Sequence, residues 1–482
     1  MTAWLAHRAD VLPAHPAVVF GDTTLTYREL DAAATNLAVR LCEEGVVPGD
    51  RVALLALNSL EFVVAVHAVP RAGAILLPLN PRLTTPELAY QLQDSGASLL
   101  LHHDRTATQA AEAANGAHLI DITGIGHAAP GAGHTAPADA PDGRSPFAII
   151  YTSGTTGAPK GAILTFDNFF ASAAASAFNI GVDPRDRWVA CMPLFHVGGL
   201  SILTRSAIYG TTAVLHPAFD EHAVNRELRE GGATLLSVVP TMLARMLDAD
   251  DRPYPPAVRA VLAGGGPVTK ELLQRAAERG LPVLQTYGLT EATSQVTTLS
   301  PADALAHPGS AGKPLLGTRV RIDAPPGEPG EILVSGPTVT PGYWRRPGAT
   351  SRALRDGWLH TGDIGRLDDD GFLYVLDRRD DLIVSGGENV YPAEVEAALM
   401  AQPGVVAAAV VGVPDPRWGQ VVAAAVVAGP GFDEEMVLSA LRERLAGYKV
   451  PRLVRVAESL PVTASGKIRR NVVREWFGPA PK

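Results

Sequence analysis

Short apolar segments alternate with longer amphipathic ones along the first part of the chain. In order, they predict a hairpin over 18–26, a helix over 26–44, a strand over 51–57, a helix over 59–69 and a strand over 73–79. A capping-box signature, Thr26 with Glu29, begins the first helix, and Pro70 follows the second. The alternation resumes over 184–300. It predicts largely parallel sheets with helices on both faces.

The pattern changes at about residue 309. Over 309–376, short strands are separated by Gly, Pro and Asp turns, which predicts a β-barrel or another small β-subdomain. After Asp380 the chain returns to a mixture of strands and helices. We therefore predict a separate, small α+β domain at the end of the sequence, with helices over 393–401 and 434–446.

Composition restricts the class of protein. Single hydrophobic cores stop growing beyond about 250–300 residues, so a chain of 482 residues should form at least two domains. A net charge of −9 without any polybasic run argues against nucleic acid or anionic membrane as a partner. Residues 1–20 lack the apolar stretch of a secretory signal, and no apolar run is long enough to span a membrane. With only two cysteines, the sequence predicts a soluble cytoplasmic protein.

A glycine-rich loop over 150–161 reads I-Y-T-S-G-T-T-G-A-P-K-G. Backbone N–H groups in such a turn, with hydroxyls and Lys160 beside them, favour a phosphate group. The loop departs from the common nucleotide-binding pattern at Pro159 and Gly161, and a strand-like segment follows where that pattern requires a helix. We interpret it as a triphosphate-binding loop. The alternative is a surface hairpin that is rich in Gly and Thr.

A second candidate site follows the strand-like segment 282–284. The stretch Q-T-Y-G-L-T-E over 285–291 lies at the carboxyl end of that segment, where ligands of open α/β sheets bind, and the glycine run 264–266 precedes it. Glu291 could hold Mg²⁺, because this cation prefers carboxylate and phosphate oxygens. Tyr287 could stack on a base. From this stretch alone, a solvated carboxylate after a turn is the alternative.

Further polar stretches occur later in the chain. Asp363 follows a Thr-Gly turn and suits a diol such as the hydroxyls of ribose. The charged run 377–381 is either a solvated loop or a hinge, since it falls where the composition changes. Gly386 and Gly387 form a second glycine loop. The basic segment 461–470 is either a tail or part of a site.

The order of these motifs resembles the adenylate-forming superfamily, which comprises acyl-CoA synthetases, luciferases and adenylation domains of nonribosomal peptide synthesis. The resemblance covers nearly the whole chain, and the stretches that carry it are 152–160, 287–291, 357–363, 377–389 and 465–467. It implies an α/β fold with a large N-terminal domain of two αβα-layered subdomains plus a β-barrel subdomain. A hinge and a small mobile α+β C-terminal domain would follow. The implied boundaries are 1–376, 377–380 and 381–482.

The resemblance also implies the reaction. A carboxylate attacks the α-phosphorus of ATP, and the thiol of coenzyme A then displaces AMP from the acyl-adenylate. Glu291 would bind Mg²⁺, Thr290 would contact the α-phosphate, and Lys467 would bridge that phosphate and the attacking carboxylate. The residues implied to bind ATP are Thr152, Ser153, Gly154, Thr155, Thr156, Gly157, Lys160, Gly265, Tyr287, Thr290, Asp363, Arg378 and Lys467.

Members of the superfamily rotate the small domain between the two steps, about a residue that matches Asp380. One orientation would present Lys467 for adenylation. The other would present Gly386 and Gly387, whose missing side chains let the pantetheine arm of CoA approach closely.

Within the superfamily, the stretches 194–206, 237–242 and 294–301 resemble most the o-succinylbenzoate–CoA ligases of menaquinone synthesis. His196 is implied both in catalysis and in the acyl pocket. The pocket residues taken from this resemblance are His196, Gly199, Ser201, Arg205, Gly264, Gly288 and Ser294.

Arg205 lies four residues after Ser201, on a helical face that is otherwise apolar. We hypothesise that its guanidinium holds the aromatic carboxylate of the substrate, directly or through water. The alternative is an ion pair with an acidic residue elsewhere in the chain.

Several functions stay open at this point. The chain could be a CoA ligase for o-succinylbenzoate, a generic aliphatic or aromatic acyl-CoA synthetase, an adenylation domain that loads a carrier protein, or a non-catalytic nucleotide sensor. The expected ligands are a small carboxylic acid, ATP and CoA, with Mg²⁺ as the cofactor. The sequence leaves open whether the chain acts alone or as a homodimer.

Overall fold

The computed structural model describes residues 4–125, 142–152, 159–266, 268–300, 303–304, 306–325, 327–377, 382–461 and 468–478. The helices are α1 Trp4–Val11, α2 Tyr27–Glu43, α3 Leu60–Arg71, α4 Thr85–Ser95, α5 Ala107–Ala113, α6 Phe166–Ile180, α7 Val197–Tyr209, α8 Glu221–Arg229, α9 Pro240–Ala249, α10 Lys270–Glu278, α11 Pro347–Ala353, α12 Pro392–Met400, α13 Glu434–Arg444 and α14 Arg470–Glu475. Within these ranges, no helix has both the length and the apolar character that crossing a membrane requires.

The strands form four sheets. They are β1 Pro16–Phe20, β2 Thr23–Thr26, β3 Arg51–Leu55, β4 Ile75–Pro78, β5 Leu99–His102, β6 His118–Asp121, β7 Pro146–Thr152, β8 Lys160–Thr165, β9 Arg187–Ala190, β10 Thr212–Leu215, β11 Leu235–Val238, β12 Ala260–Ala263, β13 Val283–Leu289, β14 Ser294–Thr298, β15 Lys313–Pro314, β16 Arg319–Asp323, β17 Gly330–Ser335, β18 Leu354–Arg355, β19 Trp358–Leu367, β20 Leu373–Asp377, β21 Ile383–Ser385, β22 Glu388–Val390, β23 Val405–Asp415, β24 Gly419–Ala428 and β25 Leu453–Ala457.

The glycine-rich loop joins two neighbouring strands at the edge of a six-stranded sheet with the order β6-β5-β3-β4-β7-β8. Its other pairs are parallel, but β7 and β8 are antiparallel and remain paired up to Thr152 opposite Lys160. The predicted strand–loop–strand arrangement is therefore confirmed. Residues 153–158 of the loop itself lie outside the described residues.

A nine-stranded sheet with the order β15-β14-β13-β12-β11-β9-β10-β1-β2 carries the second candidate site. Its middle strands are parallel, and they are buried because helices cover them, as the alternation predicts. The predicted site stretch lies partly within β13. A single 3-10 turn, Thr290–Ala292, then leads into the antiparallel strand β14.

The remaining two sheets are smaller. Strands β16 to β20 form an antiparallel sheet, which agrees with the prediction of a β-subdomain over 309–376. Strands β21 to β25 form the last sheet, in which β25 pairs parallel with β24. Helix α13 lies between these two strands in the chain, because a parallel pair requires a crossover connection.

Two local predictions have different outcomes. The Thr26 and Glu29 capping box is present at the start of α2. The predicted end of the second helix at residue 69 is wrong, since α3 continues through Pro70 to Arg71. Pro70 has no backbone N–H of its own to donate, but this does not prevent the last turn from closing. The Ala72 N–H still donates to the Ala68 carbonyl at 3.0 Å.

Candidate active site

A cavity of about 1440 Å³ brings most of the predicted residues together. Its walls come from the carboxyl ends of strands in the N-terminal part and from the segment that contains β21 and β22. The predicted residues that line it are Thr152, Lys160, His196, Gly199, Arg205, Gly264, Gly265, Gly288, Thr290, Glu291, Ser294, Asp363, Gly386 and Gly387.

Other predicted residues do not line the cavity or are not described. Ser201 and Tyr287 are buried behind its wall. Those outside the described residues are Ser153, Gly154, Thr155, Thr156, Gly157, Arg378, Asp380 and Lys467. The roles of this second group stay predictions.

Glu291 lies at the cavity wall in the turn after β13. Its carboxylate Oε1 accepts hydrogen bonds from the Tyr343 hydroxyl at 2.8 Å and the Thr152 hydroxyl at 3.3 Å. Among the described residues, none donates to Oε2. In the same part of the chain, no group of three or more His, Cys, Asp or Glu side chains could hold a metal by itself. A cation at Glu291 would therefore take its other ligands from phosphate or water.

Gly288 allows two backbone segments to approach closely beside Glu291. A Cβ at this position would lie 1.6 Å from the Ser294 carbonyl oxygen, so no other residue fits. On the facing segment, Thr293 and Ser294 have φ angles of 52° and 84°, in the region that side chains rarely adopt. Backbone of this kind is held by its surroundings and often occurs at functional sites.

Tyr287 contacts the predicted ribose-binding carboxylate. Its side chain is 3% exposed, and its hydroxyl donates to Asp363 at 2.6 Å. The ring packs in an apolar cluster, so its position and that of Asp363 are fixed relative to each other. Stacking of Tyr287 on the base stays a prediction.

Arg205 is buried, with 2% of its side chain exposed. It donates one hydrogen bond to Ser172 Oγ at 3.1 Å, and its guanidinium lies 5.7 Å from the centre of the Trp188 ring. Its Nε has no partner, and no carboxylate among the described residues forms an ion pair with it. Burial lowers the pKa of Arg205, against the opposing effect of Tyr209. A buried cation without its own carboxylate favours an anionic ligand.

The second glycine loop is a tight turn between β21 and β22. Gly386 and Gly387 have φ angles of 59° and 86°, and a Cβ on Gly386 would lie 2.7 Å from the Trp418 ring. The turn therefore requires glycine at this position and presents bare backbone to the cavity.

Glu388 follows this turn and ties it to the predicted acyl pocket. It is 3% exposed, its Oε2 lies 2.9 Å from His196 Nε2, and its Oε1 lies 3.0 Å from the Arg82 guanidinium. Burial alone would raise the pKa of Glu388, but the attraction of His196, Arg82 and Lys449 lowers it overall. An ionised Glu388 thus holds the glycine turn against the N-terminal part of the chain.

A second ionic contact joins the N-terminal part of the chain to the part that follows residue 381. Lys449, 4% exposed, places Nζ 2.6 Å from Glu87 on α4 and 2.8 Å from Glu394 on α12. Burial would lower the pKa of Lys449, but Glu394 and Glu87 raise it overall. Glu87 also accepts a bond from the Ala446 N–H at 3.0 Å.

No sequence pattern indicates these ionic contacts, because their partners are far apart in the chain. His196 and Glu388 are separated by 192 positions, and Glu87 and Lys449 by 362. The only available signal was the place of Glu388 directly after the glycine turn.

The chain belongs to the AMP-binding enzyme family. Residues 5–344 match the family model of that name, and residues 394–467 match the model of the AMP-binding enzyme C-terminal domain. A more particular likeness is to the 2-succinylbenzoate–CoA ligase of Geobacillus kaustophilus. The two are 46% identical over 98% of this chain and 97% of the relative.

Solved structures of o-succinylbenzoate CoA synthetase (MenE) from Bacillus subtilis are similar over the whole chain. A double mutant bound to its product analogue OSB-NCoA is 41% identical, covers 98% of both chains and superposes with a TM-score of 0.94. The complex with the acyl-adenylate intermediate OSB-AMP is 40% identical, covers 100% of this chain and 99% of that one, and has a TM-score of 0.76.

Proposed function

We propose that this chain is an AMP-forming 2-succinylbenzoate–CoA ligase of menaquinone biosynthesis. The observation that carries the proposal is one cavity that contains a carboxylate suited to a metal, a bare glycine turn and a buried arginine that has no ion pair with any described residue. These groups suit the three substrates: ATP at Glu291, the aromatic carboxylate of the acid at Arg205, and CoA at Gly386 and Gly387. The similarity to curated 2-succinylbenzoate–CoA ligases supports this choice of acid.

In the first step, the succinyl carboxylate attacks the α-phosphorus of ATP and pyrophosphate leaves. Two anions must approach each other, so catalysis depends mainly on positioning and on fixed charges. We propose that residues 152–160 hold the β- and γ-phosphates, that Thr290 contacts the α-phosphate and that Asp363 and Arg378 bind ribose. Lys467 would lie between the two reacting groups. A lysine suits this task, because its point charge on a flexible stem can follow a bond that moves.

The residues present fit Mg²⁺, since Glu291 offers Oε2 at the cavity wall while Oε1 is held by two hydroxyls. When bound, the ion would neutralise charge on the phosphates. Glu291 would orient it, and Thr152 would orient Glu291.

In the second step, the CoA thiol attacks the acyl carbonyl and AMP leaves. We propose that this step uses the domain arrangement of the structure. Two observations support it: the glycine turn lines the cavity, and the TM-score is higher for the complex with the CoA product analogue. We propose that the two ionic contacts, at Glu388 and at Lys449, hold this arrangement. The C-terminal domain, beginning near residue 381, would rotate about Asp380 to reach the arrangement used for adenylation.

Replacing Glu87 with glutamine should therefore slow thioester formation selectively. The variant removes the charge that Lys449 meets across the two domains but keeps the pair of Lys449 with Glu394. A loss of about 1.4 kcal/mol from this arrangement corresponds to about a tenfold slower CoA step. Pyrophosphate release should stay close to the wild-type rate, because it does not use this arrangement. The rate of thioester formation is measured by stopped flow, from the reaction of preformed acyl-adenylate with CoA.

Glu29→Gln is the matched control for Glu87→Gln. Glu29 occupies the same capping-box position on α2 but is exposed and makes its bonds to Thr26 alone. The Glu29→Gln variant should leave the rates of adenylation and thioester formation unchanged. Equal slowing of both steps by Glu87→Gln would contradict the proposed role of the contact.

Pyrophosphate release, measured with and without CoA across a panel of acids, tests the function. We expect release that depends on the acid, and equimolar acyl-CoA and AMP when CoA is added. Acyl-adenylate that accumulates without reaction with CoA would instead indicate an adenylation domain that loads a carrier protein. No acid-dependent release from any acid would indicate a nucleotide sensor.

The same proposal places the protein in the cytoplasm. Free Cys42 and Cys191 suit a reducing compartment, although they do not require one. The residues proposed to bind the substrates can be named within one chain, which is compatible with a monomer and with a homodimer.

A further inference from the structure

Tyr343 contacts two groups that are both proposed to act on ATP, one in the turn after β13 and the other at the start of β8. Its hydroxyl donates to Glu291 Oε1 at 2.8 Å, and Lys160 Nζ lies 5.6 Å from the centre of its ring. The side chain also lines the cavity. One residue thus lies between the carboxylate suited to a metal and the lysine of the phosphate loop.

The backbone around Tyr343 fixes its position relative to both groups. On one side, the Tyr343 backbone forms an antiparallel bridge with Ala162 on β8. The Trp344 N–H donates to the Gly161 carbonyl at 2.8 Å, and the Ile163 N–H donates to the Gly342 carbonyl at 3.0 Å. These bonds attach it to the strand that begins at Lys160.

On the other side, the Thr340 N–H donates to the Glu291 carbonyl at 2.8 Å. The Tyr343 N–H itself donates to Thr350 Oγ1 at 3.0 Å. The tyrosine is therefore attached both to the end of the phosphate loop and to the turn that carries Glu291. A side chain held at both ends in this way can set the separation of the groups that it touches.

We propose that Tyr343 is a positioning residue for the adenylation step. Its hydroxyl fixes the Glu291 carboxylate through Oε1, and Oε2 would then be the oxygen that holds the metal. Groups that orient a metal ligand in this way typically change metal affinity by about 10- to 100-fold when they are removed. The ring face supports Lys160 by a cation–π contact, which is a smaller contribution at a half-exposed site.

This inference rests on the proposed function, because it assigns Tyr343 to the ATP and Mg²⁺ end of the same site. The alternative is a structural role, in which the ring only fills space between β8 and the turn at Glu291. The two roles differ in one property. A positioning role depends on the hydroxyl and on the metal, whereas a structural role depends on the ring.

Tyr343→Phe separates them, because it removes the hydroxyl and keeps the ring. Binding of α,β-methylene-ATP, measured by calorimetry with and without Mg²⁺, requires no acid and no turnover. We expect the variant to bind the analogue about tenfold more weakly with Mg²⁺ and equally well without it. In turnover, the half-saturating Mg²⁺ concentration for pyrophosphate release should rise by a similar factor, and the rate at saturating Mg²⁺ should change less.

Tyr254→Phe is the matched control. Tyr254 is a buried tyrosine that also loses one hydrogen bond, from its hydroxyl to Asn225 at 2.6 Å, but it lies outside the cavity. It should leave metal-dependent binding unchanged. The reaction of preformed acyl-adenylate with CoA should be unchanged in both variants, and melting temperatures show that both are folded.

Two results would overturn the assignment of Tyr343. One is unaltered Mg²⁺ dependence of analogue binding in Tyr343→Phe. The other is weaker binding by the same factor with and without Mg²⁺, which would indicate a structural role. Failure of the proposed function is a separate outcome, since it would appear as wild-type protein that releases no pyrophosphate with any acid.

Discussion

Replacing Arg205 with leucine is expected to lower kcat/KM for 2-succinylbenzoate by two to three orders of magnitude. Truncating one partner of a buried, hydrogen-bonded charge pair costs about 2–5 kcal/mol, and each 1.4 kcal/mol is about tenfold. Arg205 is buried, donates only to Ser172 among the described residues and has an unpaired Nε, so the substrate carboxylate would be its charge partner. Most of the loss should be in KM, because the contact does not change during the reaction.

The same change should act differently on an acid without the aromatic carboxylate. With 4-phenyl-4-oxobutanoate, which keeps the succinyl chain, Arg205→Leu should match or exceed the wild type, since no buried cation is then left unpaired. Arg229→Gln is the control: the Arg229 side chain is only 6% exposed, already has Asp250 at 2.8 Å and lies outside the cavity. It should lower stability without changing the preference between the two acids. An unchanged KM for 2-succinylbenzoate in Arg205→Leu would exclude the proposed role.

Replacing Glu291 with glutamine is expected to slow pyrophosphate release by about 10²–10³-fold, the usual cost of losing one preorganised charge contact in a transition state. Glutamine keeps the shape and can still accept from Tyr343 and Thr152, so the change isolates the charge that Mg²⁺ requires. Quenched-flow measurement of pyrophosphate at saturating ATP gives the rate. Added Mg²⁺ should restore only part of it.

The CoA step gives the internal control for Glu291→Gln. The pyrophosphate has left by then, so the reaction of preformed acyl-adenylate with CoA should proceed at close to the wild-type rate. Glu227→Gln is a second control, because Glu227 is a half-buried carboxylate paired with Arg187 away from the cavity. Adenylation by Glu291→Gln within a few-fold of the wild type would contradict the assignment of the metal ligand.

Local signals predicted most of the fold. The capping box at Thr26 and Glu29, the strand pair around the glycine-rich loop and the change of pattern near residue 309 all depend on residues close together in the chain. Such signals suffice because helix caps and strand alternation are set within a few residues. The helix that continues through Pro70 is an exception, because a proline in the last turn leaves the next backbone hydrogen bond intact.

The candidate site was predicted less completely. Motif resemblance indicated Glu291, Asp363 and the glycine turn, but it did not indicate what holds them. Tyr287 shows the difference: its type suggested stacking on a base, which stays a prediction, and its bond to Asp363 appears only in the structure. The contacts of Glu388, Lys449 and Tyr343 depend on how distant segments pack, and no pattern in one sequence reports that.

The most direct test of the proposed function is a comparison of kcat/KM for several acids, with ATP, Mg²⁺ and CoA present. The acids are 2-succinylbenzoate, 4-phenyl-4-oxobutanoate, benzoate and a medium-chain fatty acid. Sites built to hydrogen-bond a substrate group can reject analogues that lack it by about 10⁴–10⁵-fold. We expect 2-succinylbenzoate to exceed each of the others by at least about 10²-fold, because only it has both an aromatic carboxylate for the buried Arg205 and a second carboxylate to attack ATP. A higher kcat/KM for benzoate or the fatty acid would contradict the assignment of this chain as a 2-succinylbenzoate–CoA ligase.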